Sequence, residues 1–150
     1  MKFCNPRIKM AEDVNIMLPV LLDAERLVIM EKAYFYHYFF NQSSIVHKYD
    51  VGLYDNINLL KQTLEEILSE KYKDDEKLQI MLQRADMEYL FLLMLVLKNE
   101  VRGNAAKCQS TIKAVFKDEK TAKLLRSRPL IVKEKANKLL YLVMKHPNSM

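Results

Sequence analysis

Apolar residues recur at helical spacing through the middle of the chain, and this feature narrows the choice of fold most. They follow one another in steps of three and four from position 53 onward, except for the final adjacent pair: Leu53, Ile57, Leu60, Leu64, Ile67 and Leu68. This spacing places the side chains on one face of an α-helix. We therefore predict an amphipathic helix over residues 53–68. A second helix is predicted over residues 76–102.

The second predicted helix contains the longest apolar run of the chain, YLFLLMLVL at residues 89–97. It is far shorter than the roughly 20 residues that a membrane-spanning helix needs. We therefore expect a buried core helix in a chain that is soluble or at most peripheral to a membrane. Half of the 150 residues are apolar, whereas Gly occurs twice and Pro four times, as is typical of a helical domain. Three further helices are predicted over residues 105–116, 119–126 and 132–145.

The N-terminal third has a different pattern. AEDVNIMLPVLLDAERL predicts a helix that begins with Glu12 and Asp13 and that is kinked or delayed by Pro19. RLVIM and AYFYHYFF are rich in β-branched and aromatic residues and predict two short strands. The predicted fold is mainly α, with a short helix and a small two-stranded β element before a bundle of four to five helices. Residues 1–50 and 51–150 are the two predicted regions.

The residue types alone favour ordinary structural roles. Acids at a helix N-terminus usually do no more than complement the helix dipole. His37, which lies between aromatic residues, is typical of a half-buried strand position. The charged stretch KDDEK around Asp74 and Asp75 indicates a solvated link, and we predict no metal site. No Cys–His nucleophile pair, HExxH motif or P-loop can be assembled.

Six short elements between residues 5 and 50 occur in an order that is known from an enzyme family. They are Ala11-Glu12-Asp13, VNIMLPVLL, Asp23-Ala24, RLVIM, AYFYHY and Ser44-Ile45. In this order they resemble the C-terminal end of the catalytic domain of family 2 glycosyltransferases, which have the GT-A fold. The resemblance covers a third of the chain, and residues 51–150 would be a helical extension of that domain.

The resemblance implies a catalytic mechanism. Asp13, with Glu12 beside it, would be the general base that deprotonates an acceptor hydroxyl as this hydroxyl attacks a nucleotide-sugar. His37, Asn41 and Ser44 would contact substrate. The acceptor would be a glycan or a lipid-linked sugar.

The same resemblance implies a second half that binds the nucleotide-sugar and a divalent metal, Mg or Mn. That half would precede Asp13 by a long stretch, and only twelve residues do. We therefore expect a C-terminal fragment that holds no cofactor of its own and is inactive alone.

Charge is distributed unevenly along the chain. Of the 24 Lys and Arg residues 13 lie from Lys98 onward, with four of the 19 Asp and Glu residues, so this part carries +9 and the rest −4. A basic region favours negatively charged partners. We expect a cytoplasmic protein whose basic part either contacts the inner face of the membrane or only solvates the outer faces of core helices. We do not expect nucleic acid, because no recognition motif accompanies the charge.

The alternative hypothesis is a non-catalytic helical protein-interaction module. In that case Glu12 and Asp13 only cap a helix, and residues 1–50 form helices or a small hairpin that serve the bundle. The two hypotheses differ in what they expect of the chain in solution. A glycosyltransferase remnant should expose apolar strand surface and form homo-oligomers, whereas a self-contained module should be a stable monomer.

Overall fold

The computed structural model describes residues 5–31, 48–104, 106, 108–127 and 135–146. These residues form six α-helices: α1 (Glu12–Asp23), α2 (Leu53–Lys71), α3 (Asp75–Gly103), α4 (Cys108–Lys117), α5 (Glu119–Ser127) and α6 (Lys135–Lys145). The five helices predicted after residue 50 are therefore confirmed, with bounds that differ by three residues or fewer. Pro19 lies inside α1, which begins at Glu12 and so does not start late.

The predicted two-stranded β element is wrong: the described part of the chain is all helical and contains no strand. RLVIM, residues 26–30, adopts no regular secondary structure, and Val28 and Ile29 are 82% and 81% exposed. β-branched residues favour a strand only where a neighbouring strand accepts the backbone hydrogen bonds and covers one face. No such neighbour lies among the described residues. The second predicted strand, AYFYHY, lies outside them.

The core forms where α2 and α3 pack side by side. The link between them has three residues, and its last, Asp74, caps α3 by accepting hydrogen bonds from the backbone N–H groups of Glu76 (3.0 Å) and Lys77 (3.2 Å). So short a link makes the two helices antiparallel neighbours. Asp74, from the charged stretch, thus has a structural role as a helix cap.

The apolar run of α3 lies at the centre of the core, as its sequence predicts. Leu90, Leu93 and Leu97 of α3 are fully buried, as are Ile57 and Leu60 of α2. Burial of each such side chain stabilises the fold by roughly 1.5–3 kcal/mol. Helices α4, α5 and α6 complete this core with five buried residues: Ile112, Val115, Phe116, Leu125 and Met144.

The N-terminal segment is attached to α2 by hydrogen bonds and by apolar contacts. The Asn56 side chain accepts a hydrogen bond from the backbone N–H of Met10 (3.0 Å) and donates one to the carbonyl of Arg7 (3.2 Å). Ile8 is buried against Leu60 and Leu64. These contacts bring the chain to α2 immediately before α1 begins.

The segment before α2 is held against the far end of α3. The backbone N–H of Asp50 donates to Asn99 Oδ1 (2.9 Å), and Asn99 Nδ2 donates to the Asp50 carbonyl (2.8 Å). Buried Glu100 accepts hydrogen bonds from Asn104 Nδ2 (2.7 Å) and from the Tyr49 hydroxyl (3.5 Å). Tyr49 itself lies directly over Gly103, where a Cβ atom would overlap its Cβ and Cγ.

We predict that Gly103→Ala destabilises the protein by about 1–2 kcal/mol. The added methyl group must displace Tyr49, at a cost typical of overpacking that exceeds the gain of up to about 1 kcal/mol in helix propensity. Urea unfolding followed by circular dichroism measures the change. The matched control is Gly52→Ala, whose Cβ would lie 3.4 Å from Asp50 Oδ1, an ordinary contact, and should change stability little. A Gly103→Ala protein as stable as the wild type contradicts the prediction.

Candidate functional site

A polar cleft of about 750 Å³ lies between α2, α3 and α5. Charged, amide, hydroxyl and phenol groups line most of it, and its residues are Tyr54, Asn58, Lys61, Gln62, Glu65, Asp86, Tyr89, Asp118, Lys120, Thr121, Lys123, Leu124 and Ser127. Three helices contribute to it, so the cleft depends on the tertiary fold and not on a local motif.

Lys61 of α2 is the central charge of the cleft. Its Nζ donates to Asp86 Oδ1 of α3 at 3.0 Å and also to the Glu65 carboxylate one turn along α2. The Lys61 and Asp86 side chains are each 17% exposed. Burial alone lowers the pKa of Lys61, but the hydrogen bonds to Glu65 and Asp86 outweigh it, so that the pKa is raised. Lys61 therefore stays charged and joins α2 to α3.

Tyr89 forms the inner wall of the cleft beside Lys61. Lys61 Nζ lies 5.4 Å from the centroid of the Tyr89 ring, within cation–π distance. The Tyr89 hydroxyl donates to Asn58 Oδ1 of α2 at 2.7 Å. Burial raises the pKa of Tyr89 far above its ordinary value, so the phenol remains neutral and acts as a hydrogen-bond donor.

The start of α5 closes the cleft. Asp118 accepts a hydrogen bond from the backbone N–H of Thr121 at 3.0 Å, which is the geometry of a helix N-cap. Lys120 and Lys123 are exposed at the rim. The innermost polar groups thus form hydrogen bonds and ion pairs with one another, and these contacts fix how the three helices align.

The residues predicted to be catalytic lie away from this cleft. Glu12 and Asp13 are exposed in the first turn of α1, and Asp13 Oδ1 accepts a hydrogen bond from the backbone N–H of the adjacent Val14 at 2.9 Å. His37, Asn41 and Ser44 lie outside the described residues. The catalytic and substrate-binding roles of these five residues stay predictions. Within the ranges that the structure describes, no group of three or more His, Cys, Asp or Glu residues is placed to hold a metal ion.

Helix α1 also carries an exposed apolar face, which we call the α1 surface. Its five residues are each between 40% and 49% exposed: Val14, Ile16, Met17, Val20 and Leu21. On the opposite side of α1, Asn15 is buried and half-buried Leu18 packs against the cluster that contains Leu60 and Leu64 of α2. A helix that is apolar on all sides normally has both sides covered. The α1 surface leaves one side of the helix in solvent.

Sequence reasoning did not identify the cleft or the α1 surface. The spacing of Lys61 and Glu65 on a predicted helix is a visible signal of a local ion pair. The contact with Asp86, which is 25 residues further on, depends on how α2 and α3 align, and no local pattern contains that information. The α1 surface could have been found from the apolar residues that surround α1 on all sides.

A scan against models of protein families and searches of curated proteins and of solved structures found no match to this chain. Among the described residues, no helix is long and apolar enough to cross a membrane.

We predict that Tyr89→Phe lowers stability at neutral pH by about 1 kcal/mol, the contribution of one hydrogen bond. It should also reduce the loss of stability in alkali. In the wild type the unfolded tyrosine ionises near its ordinary value of 10.0, whereas the folded one stays neutral, so the unfolded state binds fewer protons and stability falls as the pH rises through that value. Phenylalanine has no ionisable group, so the Tyr89→Phe protein lacks this contribution to the loss of stability in alkali.

Urea unfolding of both proteins at neutral pH and at alkaline pH measures this difference. Tyr72→Phe, at the end of α2 and outside the cleft, is the matched control. An alkaline loss of stability that is equal in wild type and Tyr89→Phe would show that the buried phenol is not the cause.

Proposed function

We propose that this chain is a helical protein-interaction module whose α1 surface binds a partner helix with a basic, amphipathic sequence. The observation that carries the proposal is the set of apolar side chains exposed on one face of α1, followed in the sequence by residues 27–30, which are 63–82% exposed. Contiguous apolar surface of this kind marks interaction sites on folded proteins. Scattered single apolar residues would not have this meaning.

The charges near the α1 surface favour a basic partner. Between residues 11 and 31 the acids are Glu12, Asp13, Asp23, Glu25 and Glu31, and Arg26 is the one base in this stretch. Asp23 already forms an ion pair with Lys71 at 2.5 Å, which leaves four exposed acids around the surface. Lysine or arginine flanking the apolar face of a helix would complement them and orient the complex.

The rigid attachment of α1 supports the same proposal. The hydrogen bonds of Asn56 to Arg7 and Met10 fix the chain just before α1, and Lys71 holds its last residue. A surface on a fixed helix loses less conformational entropy on binding than a surface on a free segment. The α1 surface is therefore preorganised for binding.

We predict that the chain binds a synthetic helical peptide that has leucines on one face and flanking lysines. Fluorescence anisotropy of the labelled peptide measures the affinity. The double variant Met17→Lys/Leu21→Lys should weaken binding about tenfold or more, because two apolar contacts are lost and like charges face each other. Gln83→Lys, at an exposed position of α3, is the matched control and should leave the affinity unchanged.

A peptide with the same leucines and flanking glutamates should bind much more weakly. Equal binding of the two peptides, or binding that Met17→Lys/Leu21→Lys does not weaken, would overturn the proposal. Light scattering provides the remaining check, since the proposal expects a monomer. A dimer that Met17→Lys/Leu21→Lys dissociates would identify a second copy of the chain as the occupant in place of a partner helix.

Sugar transfer is the second candidate function, and one observation favours it. Glu12 and Asp13 stand exposed in the first turn of α1, which is where the resemblance to family 2 glycosyltransferases requires the acidic pair. A carboxylate at this position could accept the proton of an acceptor hydroxyl. The resemblance assigns the nucleotide and the metal to a region other than residues 5–50.

We predict that this chain alone transfers no sugar. Without a metal-bound diphosphate the departing nucleotide lacks its main electrostatic stabilisation. The assay combines the chain with Mn²⁺, a panel of nucleotide-sugars and glycan or lipid-linked acceptors. Transfer that is lost in Asp13→Asn would contradict the prediction and would establish Asp13 as the base.

A further inference from the structure

A second depression, of about 620 Å³, opens between α4, α5 and α6 and is unrelated to the α1 surface. Its floor is apolar and consists of Phe116, Leu125 and Met144, all buried, with Ala122 beside them. Its rim consists of Lys117, Arg126, Lys145 and His146, all exposed. We call this depression the basic hollow. No Asp or Glu is among the described residues that line it.

Helix α6 extends the basic hollow into a wider amphipathic face. Leu139 and Leu142 are 64% and 55% exposed. Leu142 lies three residues from Leu139, three from Lys145 and four from His146, so these side chains share one face of the helix. Lys135 and Lys138 are exposed on this face as well. The face therefore combines two outward leucines with four basic positions.

One of these lysines is already ordered by an aromatic side chain. Lys145 Nζ lies 4.9 Å from the centroid of the Tyr141 ring, a cation–π contact across one helical turn. This contact holds the cation at the edge of the basic hollow. No carboxylate among the described residues forms a salt bridge with Lys117, Arg126 or Lys145, since the ion pairs of the described chain all involve α1, α2 and α3 or their links.

We propose that the basic hollow and the outward face of α6 dock on the headgroups of anionic phospholipids at a membrane surface. Lys117, Arg126 and Lys145 would contact the phosphates, and Leu139 and Leu142 would enter the boundary between headgroups and acyl chains. Apolar and basic residues on one helix face are the signature of such interfacial binding. Nucleic acid would use the cations but would leave both leucines exposed to water, which is why a lipid surface is the better match.

Co-sedimentation with vesicles tests the proposal. The full chain should bind vesicles of phosphatidylcholine mixed with phosphatidylserine at physiological ionic strength and should not bind vesicles of phosphatidylcholine alone. The double variant Arg126→Gln/Lys145→Gln should weaken binding by roughly 30-fold, from the loss of two charges near the anionic surface. Lys73→Gln/Arg84→Gln removes two exposed charges elsewhere and should leave binding nearly unchanged.

A variant of the two leucines distinguishes binding to lipid from binding to other anions. Leu139→Gln/Leu142→Gln keeps every charge and should weaken vesicle binding on the order of tenfold. Circular dichroism verifies that each variant is folded. Met17→Gln/Leu21→Gln leaves the net charge unchanged and should bind vesicles as the wild type does, because the basic hollow acts independently of the α1 surface.

Three results would overturn the proposal. The first is equal binding to neutral and anionic vesicles. The second is vesicle binding that neither Arg126→Gln/Lys145→Gln nor Leu139→Gln/Leu142→Gln weakens. The third is tight binding of duplex DNA that Arg126→Gln/Lys145→Gln abolishes and Leu139→Gln/Leu142→Gln leaves intact, since this would assign the basic hollow to nucleic acid.

Discussion

The burial of α2 against α3 is the interaction on which the rest of the molecule depends. Helix α3 contacts α2, α4, α5 and α6, and α1 reaches the bundle through α2. The same alignment creates the cleft, because it brings Lys61 of α2 to Asp86 and Tyr89 of α3. An apolar pair of helices can slide with little change in buried area, whereas a half-buried ion pair and a buried phenol hydrogen bond are satisfied in one register. The apolar face provides the stability, and the polar groups select the alignment.

The helices could be predicted from the sequence because their signals are local. The spacing of Leu53, Ile57 and Leu60 is enough to identify α2, and α3 follows from its apolar run. The β element failed for a related reason: residues 26–30 have strand propensity, but a strand also requires a distant partner, which propensity does not reveal. The candidate sites were missed because they are tertiary. Lys61 and Asp86 meet across two helices, and Lys117, Arg126 and Lys145 meet across three, so single-helix periodicity cannot place them together.

The acidic and the basic parts of the sequence lie on different surfaces of the structure. The acidic N-terminal part presents the α1 surface, and the basic C-terminal part presents the basic hollow. Each combines exposed apolar side chains with charge of one sign, and the two lie on different helices. The partner helix and the anionic lipid that we propose would therefore not compete for the same residues.

The apolar character of α1 on all sides also raises the question of which face turns toward α2. Hydrophobicity alone hardly distinguishes the two, since either would bury leucine, isoleucine or valine. The difference comes from Asn15, which is fully buried and exchanges hydrogen bonds with the Asn5 backbone: its Nδ2 donates to the Asn5 carbonyl (3.1 Å), and its Oδ1 accepts from the Asn5 N–H (3.3 Å). Rotation of α1 by half a turn would leave these groups unpaired. A single amide thus decides the orientation of an otherwise ambiguous helix, and through it which apolar residues the protein presents to solvent.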